Sequence, residues 1–319
     1  TKESKNFGTG ILDGTQPIST GDIINVTNSP LSYAPNIDRD FFYFSMQDDW
    51  KLNQDLLLNL GIRYDKYSDF GSSVNPRLGL IWNVTQDFAL KLFSGSAFKS
   101  PSIAQLHVRN NPANLGNPLL QPETVETTEV GFTVENFIHN NLILAVNAFD
   151  YHAKDLVDFV FVENSTGKVA QNTGEQEGLG YEVALKWKQN ADMTLDLNYS
   201  RVSAKNQNDE TIADIPKHMF YGNLNWSFME GWRLNIDGKW VLDRARRSSD
   251  TRPSIDDYHL VNAKLSYHGF KRLIENGATV ALVVNNLSNE NAREPSNGNI
   301  PNDYPLNSRQ IRLELDYKF

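Results

Sequence analysis

A two-residue rhythm of apolar and polar side chains constrains this chain more than any other feature. In "QDLLLNLGIRYD", Leu56, Leu58, Leu60, Ile62 and Tyr64 alternate with Asp55, Asn59, Arg63 and Asp65. "DMTLDLNYS" separates Met193, Leu195, Leu197 and Tyr199 from Thr194, Asp196, Asn198 and Ser200. "WRLNIDGKW" sets Trp232, Leu234, Ile236 and Trp240 against Arg233, Asn235, Asp237 and Lys239. "IRLELDYKF" sets Ile311, Leu313, Leu315, Tyr317 and Phe319 against Arg312, Glu314, Asp316 and Lys318. Side chains on a strand point to opposite faces in turn, so this period predicts strands, and helical spacing fits none of these runs.

About thirteen such segments follow one another, near 38–51, 54–68, 73–85, 87–99, 123–138, 140–162, 168–190, 192–206, 214–228, 231–247, 256–270, 276–288 and 307–319. Those at 140–162 and 276–288 alternate poorly, which leaves their facing open. Tight turns at "KLNQD", "VTQD", "IHNN", "KQNAD" and "FMEGW" alternate with longer polar links such as "SDFGSS", "AKNQNDETIAD", "RARRSSDTRPSIDD" and "NENAREPSNGNIPNDYPLN". A meander with tight turns on one rim and elaborated loops on the other produces that alternation.

About a dozen strands without helical partners must build a sandwich, a propeller or a barrel. The 319 residues can bury a large core, yet mean hydropathy is only -0.48 while aromatics reach 11%. That pairing suits a sheet with one apolar and one wet face. Aromatics stand near the ends of several apolar faces, at Trp232 and Trp240, Tyr181 and Trp187, Trp226 and Phe228, and Tyr317 and Phe319. Such placement fits the headgroup level of a membrane-spanning barrel. A large soluble all-β protein is the competing fold. The formal net charge of -9 argues against a nucleic-acid partner. The chain has no Cys, hence no disulfide framework and no thiolate metal site. No run of 18 apolar residues is present to cross a membrane as a helix. "TKESKNFGTG" has neither an initiating Met nor a signal-peptide pattern, as expected of a mature protein or a fragment.

The stretch "AFKSPSIAQLH" followed by "GNPLLQPETVETTEVGF" resembles a signature of TonB-dependent outer-membrane receptors. In it Phe98, Ser100 and Pro101 end one strand, and Asn117, Pro118, Leu120, Pro122 and Glu123 lead into the next. "LNLGIRYDKY" with "NPRLGLIW" is similar to the family's paired strands. "NTGEQEGLGYEVAL" resembles its Asn-Gly and Gly-x-Glu strand, here Asn172, Gly174, Gly180 and Glu182. "IPKHMF" and "NNLSNENAREP" resemble two further stretches, and Tyr317 and Phe319 match the terminal aromatic signal that barrel-assembly machinery reads.

The resemblance runs from about Arg39 to Phe319 and implies an all-β, antiparallel up-and-down transmembrane β-barrel. About 13 of the family's roughly 22 strands are present, so residues 38–319 would be the C-terminal portion of a receptor barrel without its plug. Residues 1–37 would be an extracellular loop or a truncated strand region. The family implies active uptake of a ferric siderophore or a similar bulky ligand, in a Gram-negative outer membrane. It implies contacts with lipid and lipopolysaccharide. Coupling to the TonB-ExbB-ExbD complex would run through the missing N-terminal part. A haem or cobalamin receptor, or a passive porin-like barrel, are the alternatives. The segment from Lys99 to about Gln121 would be a loop above the barrel wall, with prolines stopping strand pairing at both feet.

No enzyme constellation, cofactor motif or metal site emerges. The six His, at 107, 139, 152, 218, 259 and 268, never share a strand face at ligand spacing. His107 stands between "FKSP" and "NPLL", which resembles the haem-receptor layout, although Lys99 and Ser100 replace its Arg and Ala. The other reading of His107 is a polar loop residue. Arg244, Arg246, Arg247 and Arg252 crowd one long loop. Arg forks suit carboxylate or catecholate-iron anions. They would equally suit lipopolysaccharide phosphates or the nearby Asp243, Asp250, Asp256 and Asp257.

Overall fold

A computed structural model describes residues 7–8, 24–25, 29, 32–111, 113–138, 141–163, 165, 167–268, 278–296 and 300–317. Each of the thirteen alternating segments is a strand. They are β3 (Phe41–Lys51), β4 (Leu56–Tyr67), β5 (Gly71–Asn83), β6 (Phe88–Lys99), β8 (Glu123–Val134), β9 (Leu142–Phe161) and β10 (Lys168–Lys188), followed by β11 (Met193–Asn206), β12 (Pro216–Met229), β13 (Trp232–Arg244), β14 (Tyr258–Tyr267), β15 (Ala278–Asn285) and β18 (Gln310–Tyr317). Short elements complete the order: β1 (Phe7–Gly8), β2 (Ile24–Asn25), helix α1 (Ile103–His107), β7 (Asn114–Leu115), β16 (Arg293–Glu294) and β17 (Tyr304–Pro305). Most of residues 1–37, together with Lys318 and the proposed assembly residue Phe319, lie outside the described residues.

The long strands form one antiparallel meander in the order β18-β15-β14-β13-β12-β11-β10-β9-β8-β6-β5-β4-β3, with β7 added in parallel beside β10. Among the described residues no ladder joins β3 to β18, so the sheet is open and these two strands are its edges.

Cross-strand register fixes the faces. Directly opposed residues share a face in an antiparallel pair. One row therefore runs Trp187, Leu195, Leu224, Ile236, Ala263, Val284 and Ile311 across seven strands. One residue along, on the other face, the row is Lys186, Asp196, Asn223, Asp237 and Asn262. The polar side chains bond one another: Asn262 donates to Asp237 at 2.8 Å, Asn235 to Asn225 at 2.8 Å, and Lys264 reaches Glu314 at 2.8 Å. Leu56, Leu58, Leu195, Leu197, Leu313 and Leu315 all belong to the apolar face, as the alternation predicts.

The segments whose facing the sequence left open are now placed. Leu142, Leu144 and Val146 of β9 and Val280, Leu282 and Val284 of β15 stand on the apolar face. No second layer covers that face among the described residues. Ile311, Leu313 and Leu315 are 67%, 76% and 72% exposed. An exposed apolar face of this extent marks a surface built to be covered, as the lipid-facing wall of the expected barrel would be.

The turn rim is built by local side-chain hydrogen bonds. Asn53 accepts from the Asp55 amide at 2.8 Å, and Asn190 from the amides of Asp192 and Met193 at 2.8 and 2.9 Å. Gly231 supplies a φ of 77° between β12 and β13. On the opposite rim the sequence suggested a longer link at "SDFGSS", but only residues 68–70 separate β4 from β5. Gly71, with φ 105°, starts β5 at once because it tolerates the left-handed turn. The hairpin of β9 and β10, at 20 and 21 residues, is about twice the length that crosses a bilayer. It therefore stands well above the wall on the long-loop side.

The facing has a measurable consequence. Leu224→Arg puts a charge on the apolar face and should cost about 2–4 kcal/mol in a lipid bilayer, whereas Asn223→Arg, one residue away, should cost less than about 1 kcal/mol. Urea unfolding of the full-length protein in phospholipid vesicles reads both, and equal costs would contradict this assignment.

Candidate functional site: the loop cap above the wall

Among the described residues, two buried apolar clusters lie where the long loops meet the ends of the strands. The first gathers Phe70, Leu106, Leu120 and Ala170, with Tyr67, Phe98, Val157 and Phe159 packed against it. It is organised by the segment between β6 and β8. The last cross-strand pair is Lys99 with Glu123, and Pro101 and Pro122 stand just outside it, so pairing stops at both feet as expected. Pro101 is buried. Ser102 then starts α1 through a capping box: the Gln105 amide donates to Ser102 Oγ at 3.1 Å, and the Ser102 amide donates to Gln105 Oε1 at 2.9 Å.

The chain next doubles back on this helix. Gly116 donates to the Val108 carbonyl at 2.7 Å, and a Cβ at Gly116 would lie 2.6–2.7 Å from the backbone of Leu106, His107 and Val108. Only glycine permits that approach.

Several residues of the family-like stretches fasten this loop. Lys99 Nζ meets Glu123 Oε2 at 2.8 Å while Glu123 Oε1 accepts the Val157 amide at 3.0 Å. Asn172 joins three segments: its amide donates to the Gln121 and Asp155 carbonyls at 2.9 and 2.6 Å and its oxygen accepts the Gln121 amide at 2.9 Å. Asn117 Oδ1 accepts the Leu119 amide at 2.9 Å in a turn that exposes Pro118 and Leu119. Gly180 faces Phe149 across the ladder, where a Cβ would lie 2.4 Å from the ring and 2.6 Å from the Arg201 carbonyl. Glu182 stands two residues on, opposite Asn147 and Ser200 on the polar face. Ser100 is half-buried at the foot of the loop.

His107 ends α1 with its Nε2 buried and, among the described residues, without a hydrogen-bond partner. That nitrogen faces packed protein, not solvent.

The second cluster ties the last two long loops together. Val241, Tyr258 and Ala292 are buried there, with Leu260 and Leu306 against them. Arg244, whose side chain is fully covered, donates to the Arg293 carbonyl at 2.9 Å, to Glu294 at 2.9 Å and to the Asp256 carbonyl at 2.6 Å, and stacks over the Tyr258 ring. Arg246 grips Asp303 with two nitrogens, at 2.9 and 2.6 Å. Arg252 pairs with Asp250 at 2.5 Å and reaches Asp303 at 3.1 Å and the Ser296 carbonyl at 2.9 Å. Arg247 is exposed and lines a cavity of about 270 Å³ with Arg246, Asp250 and Arg252. Of the four loop arginines it alone shows no side-chain hydrogen bond or ion pair among the described residues.

The sequence pointed to the arginines and missed Asp303 and Glu294, their partners on another loop. The one available signal was charge complementarity between the two long links.

These pairs hold the carboxylates ionised. Hydrogen bonding from Arg252 pulls Asp250 from its ordinary 3.8 down to about 2, and hydrogen bonding from Arg246 holds Asp303 well below the usual carboxylate range. A carboxyl depressed by native contacts adds stability that is fully present above its unfolded pKa and lost as pH falls through the folded one.

Comparison with known proteins fixes the family. The TonB-dependent receptor-like β-barrel family matches residues 4–287. The chain belongs to that family, whose members are transport receptors. It is 26% identical over 272 residues to the vitamin B12 transporter BtuB of Vibrio cholerae, covering 83% of this chain and 40% of that protein. It is 24% identical over 319 residues to the iron-regulated outer membrane virulence protein of the same species, covering 92% and 47%. The crystal structure of the siderophore receptor PirA from Acinetobacter baumannii superposes with a TM-score of 0.71 at 18% identity, covering 88% of this chain and 46% of that one. The open sheet is thus part of a receptor barrel, and the chain spans less than half the length of these relatives.

The clamp predicts a pH response. Amide protection of residues 245–257 should be constant from neutral pH to about 4 and collapse between about 4 and 2, as Asp250 protonates. Hydrogen exchange on the full-length protein reads it. Asp303→Asn should remove much of that protection already at neutral pH. Unchanged protection at pH 2 would show that the ion pairs do not hold the loops.

Proposed function

We propose that this chain forms the C-terminal portion, residues 38–319, of an outer-membrane TonB-dependent receptor, and that the receptor takes up a ferric siderophore. The observation that carries the reading is the family match over residues 4–287, on a sheet whose uncovered apolar face needs lipid. Curated relatives include a ferrienterobactin receptor of Escherichia coli, 23% identical over 259 residues. The polar face would line the lumen, and the long loops would stand outside the cell. A plug and the contact with the TonB-ExbB-ExbD complex would belong to sequence preceding the wall. Transport, not catalysis, is the activity. Tyr317 and Phe319 would serve the barrel-assembly machinery.

Within the cap, the geometry narrows the ligand-binding candidates. Arg244, Arg246 and Arg252 are engaged by carboxylates and carbonyls, so they would position the loops. Arg247 would meet an anionic ferric ligand directly, because its exposed guanidinium can give up water for charge-assisted hydrogen bonds. The buried Nε2 of His107 favours a siderophore over haem, since an axial nitrogen must be open to the iron.

A partly desolvated charge-assisted contact contributes roughly 1.5–3 kcal/mol, so Arg247→Ala should weaken capture by about one to two decades. The measurement is a titration of the purified full-length receptor with ferric enterobactin and a ferric carboxylate siderophore, beside haemin and cyanocobalamin. Cyanocobalamin or haemin binding tightly while both siderophores fail would move the receptor to another ligand class. Wild-type siderophore affinity in Arg247→Ala would remove that residue from the site.

A further inference from the structure

The cavity of about 270 Å³ beside the arginine clamp has a wall of two kinds. Arg246, Arg252, Asp250 and Ser296 are already spent on the fold, because they bond one another and Asp303. Arg247, Ser249, Thr251 and Asp214 are not. Among the described residues their side chains show no hydrogen bond or ion pair, and all four residues are exposed.

Asp214 reaches this wall through its backbone. It sits at φ 71°, a left-handed conformation that Asp tolerates, and its amide donates to the Ala245 carbonyl at 3.0 Å. The link between β11 and β12 is thereby tied to the link between β13 and β14. One guanidinium, two hydroxyls and one carboxylate are left unspent around a single polar space.

That carboxylate decides what the cavity can hold. A purely anionic group gains from Arg247 but is repelled by Asp214, whose own acceptors stay unanswered. A group that sets a carboxylate beside an N–H donor answers both sides. Its carboxylate takes the guanidinium fork and the hydroxyls of Ser249 and Thr251, and its N–H donates to Asp214. No aromatic ring lines the space, so nothing there stacks on a catechol. The volume is that of about nine waters, which admits one arm of a chelate and not its iron centre.

We infer that this cavity is a subsite for a peripheral arm of the imported ferric ligand, an arm that carries a free carboxylate beside an amide N–H. The cargo then belongs to the carboxylate-bearing chelates and not to the tris-catecholates, and Asp214 joins Arg247 as a specificity-determining residue. This assignment rests on the uptake reading proposed above.

The test titrates the purified full-length receptor with three ferric chelates. Ferric aerobactin carries free carboxylates, each beside an amide N–H; ferric arthrobactin is the same chelate without those carboxylates; ferric enterobactin is a tris-catecholate without a free carboxylate. Aerobactin should bind about tenfold or more tighter than arthrobactin, and Arg247→Ala should abolish that preference. Asp214→Asn, which keeps the left-handed backbone, should weaken aerobactin by about threefold to tenfold and leave enterobactin unchanged or tighter. A merely structural role for Asp214 would weaken both alike. Equal binding of aerobactin and arthrobactin, enterobactin bound tighter than aerobactin, or an equal effect of Asp214→Asn on both would overturn the inference. Should no ferric chelate bind, the uptake reading itself fails, and hydrogen exchange decides the subsite: N-acetylglycine in excess should protect residues 245–252 and N-acetylglycinamide should not. Equal protection by the two, or none, would overturn it there.

Discussion

Backbone hydrogen bonding between neighbouring strands is the constraint on which everything else in this protein depends. In hydrocarbon no water can satisfy an amide or a carbonyl, so each strand must be paired along its length. Pairing in strict antiparallel register then assigns every side chain to a face, and a slip of one residue would exchange the faces. The row from Trp187 to Ile311 shows how consistently register is kept, because seven strands contribute an apolar residue to it without exception. The reverse face gains its own cohesion from that same register. Asp237 meets Asn262, and Asn225 meets Asn235, because they are ladder partners or diagonal neighbours and not because loops bring them together.

Above the wall the logic reverses. Loops cannot use the ladder, so they acquire conventional buried cores and specific side-chain bonds. Asn172 is a compact instance, satisfying the Gln121 amide and the carbonyls of Gln121 and Asp155 at once. It sits where two register shifts break the β9–β10 ladder between Asn172 and Gln176, and its side chain restores bonds that the backbone gives up there. Arg39 does similar service at the other end of the cap, donating to Asp69 and to the Pro101 carbonyl at 2.8 and 3.0 Å.

The wall was legible in the sequence because its signal is local. A period of two needs only a dozen consecutive residues to be seen. Where it failed, the reason is visible. In β9, Phe149 and Tyr151 lie on the polar face because Gly180 and Gly178 stand opposite and leave room for their rings, which hides the alternation. In β15, Val283 lies on the polar face between Lys264 and Arg312, whose long aliphatic stems can cover it. The cap was less legible. The grouping of Arg244, Arg246, Arg247 and Arg252 was plain, but Asp303 lies 57 residues from Arg246 in the chain, and no periodicity connects them. Nor did any sequence signal show that the helix after Pro101 would fold back against Gly116.

That non-local pairing bears on how such a cap can bind anything. A guanidinium already held by two oxygens of Asp303 cannot be recruited by a ligand unless that carboxylate is released, and leaving a partly buried carboxylate unpaired is costly. An anion arriving at the mouth would thus meet two kinds of arginine. Arg246 and Arg252 would resist it, since capture would require breaking the link between the last two long loops. Arg247 would give up only its hydration. If a ligand were bulky enough to engage all of them, binding and loop release would be one event, and its affinity would be reduced by the strength of the clamp. Cationic loops near a ligand mouth are therefore sorted less by their charge than by which charges are already spent on the fold.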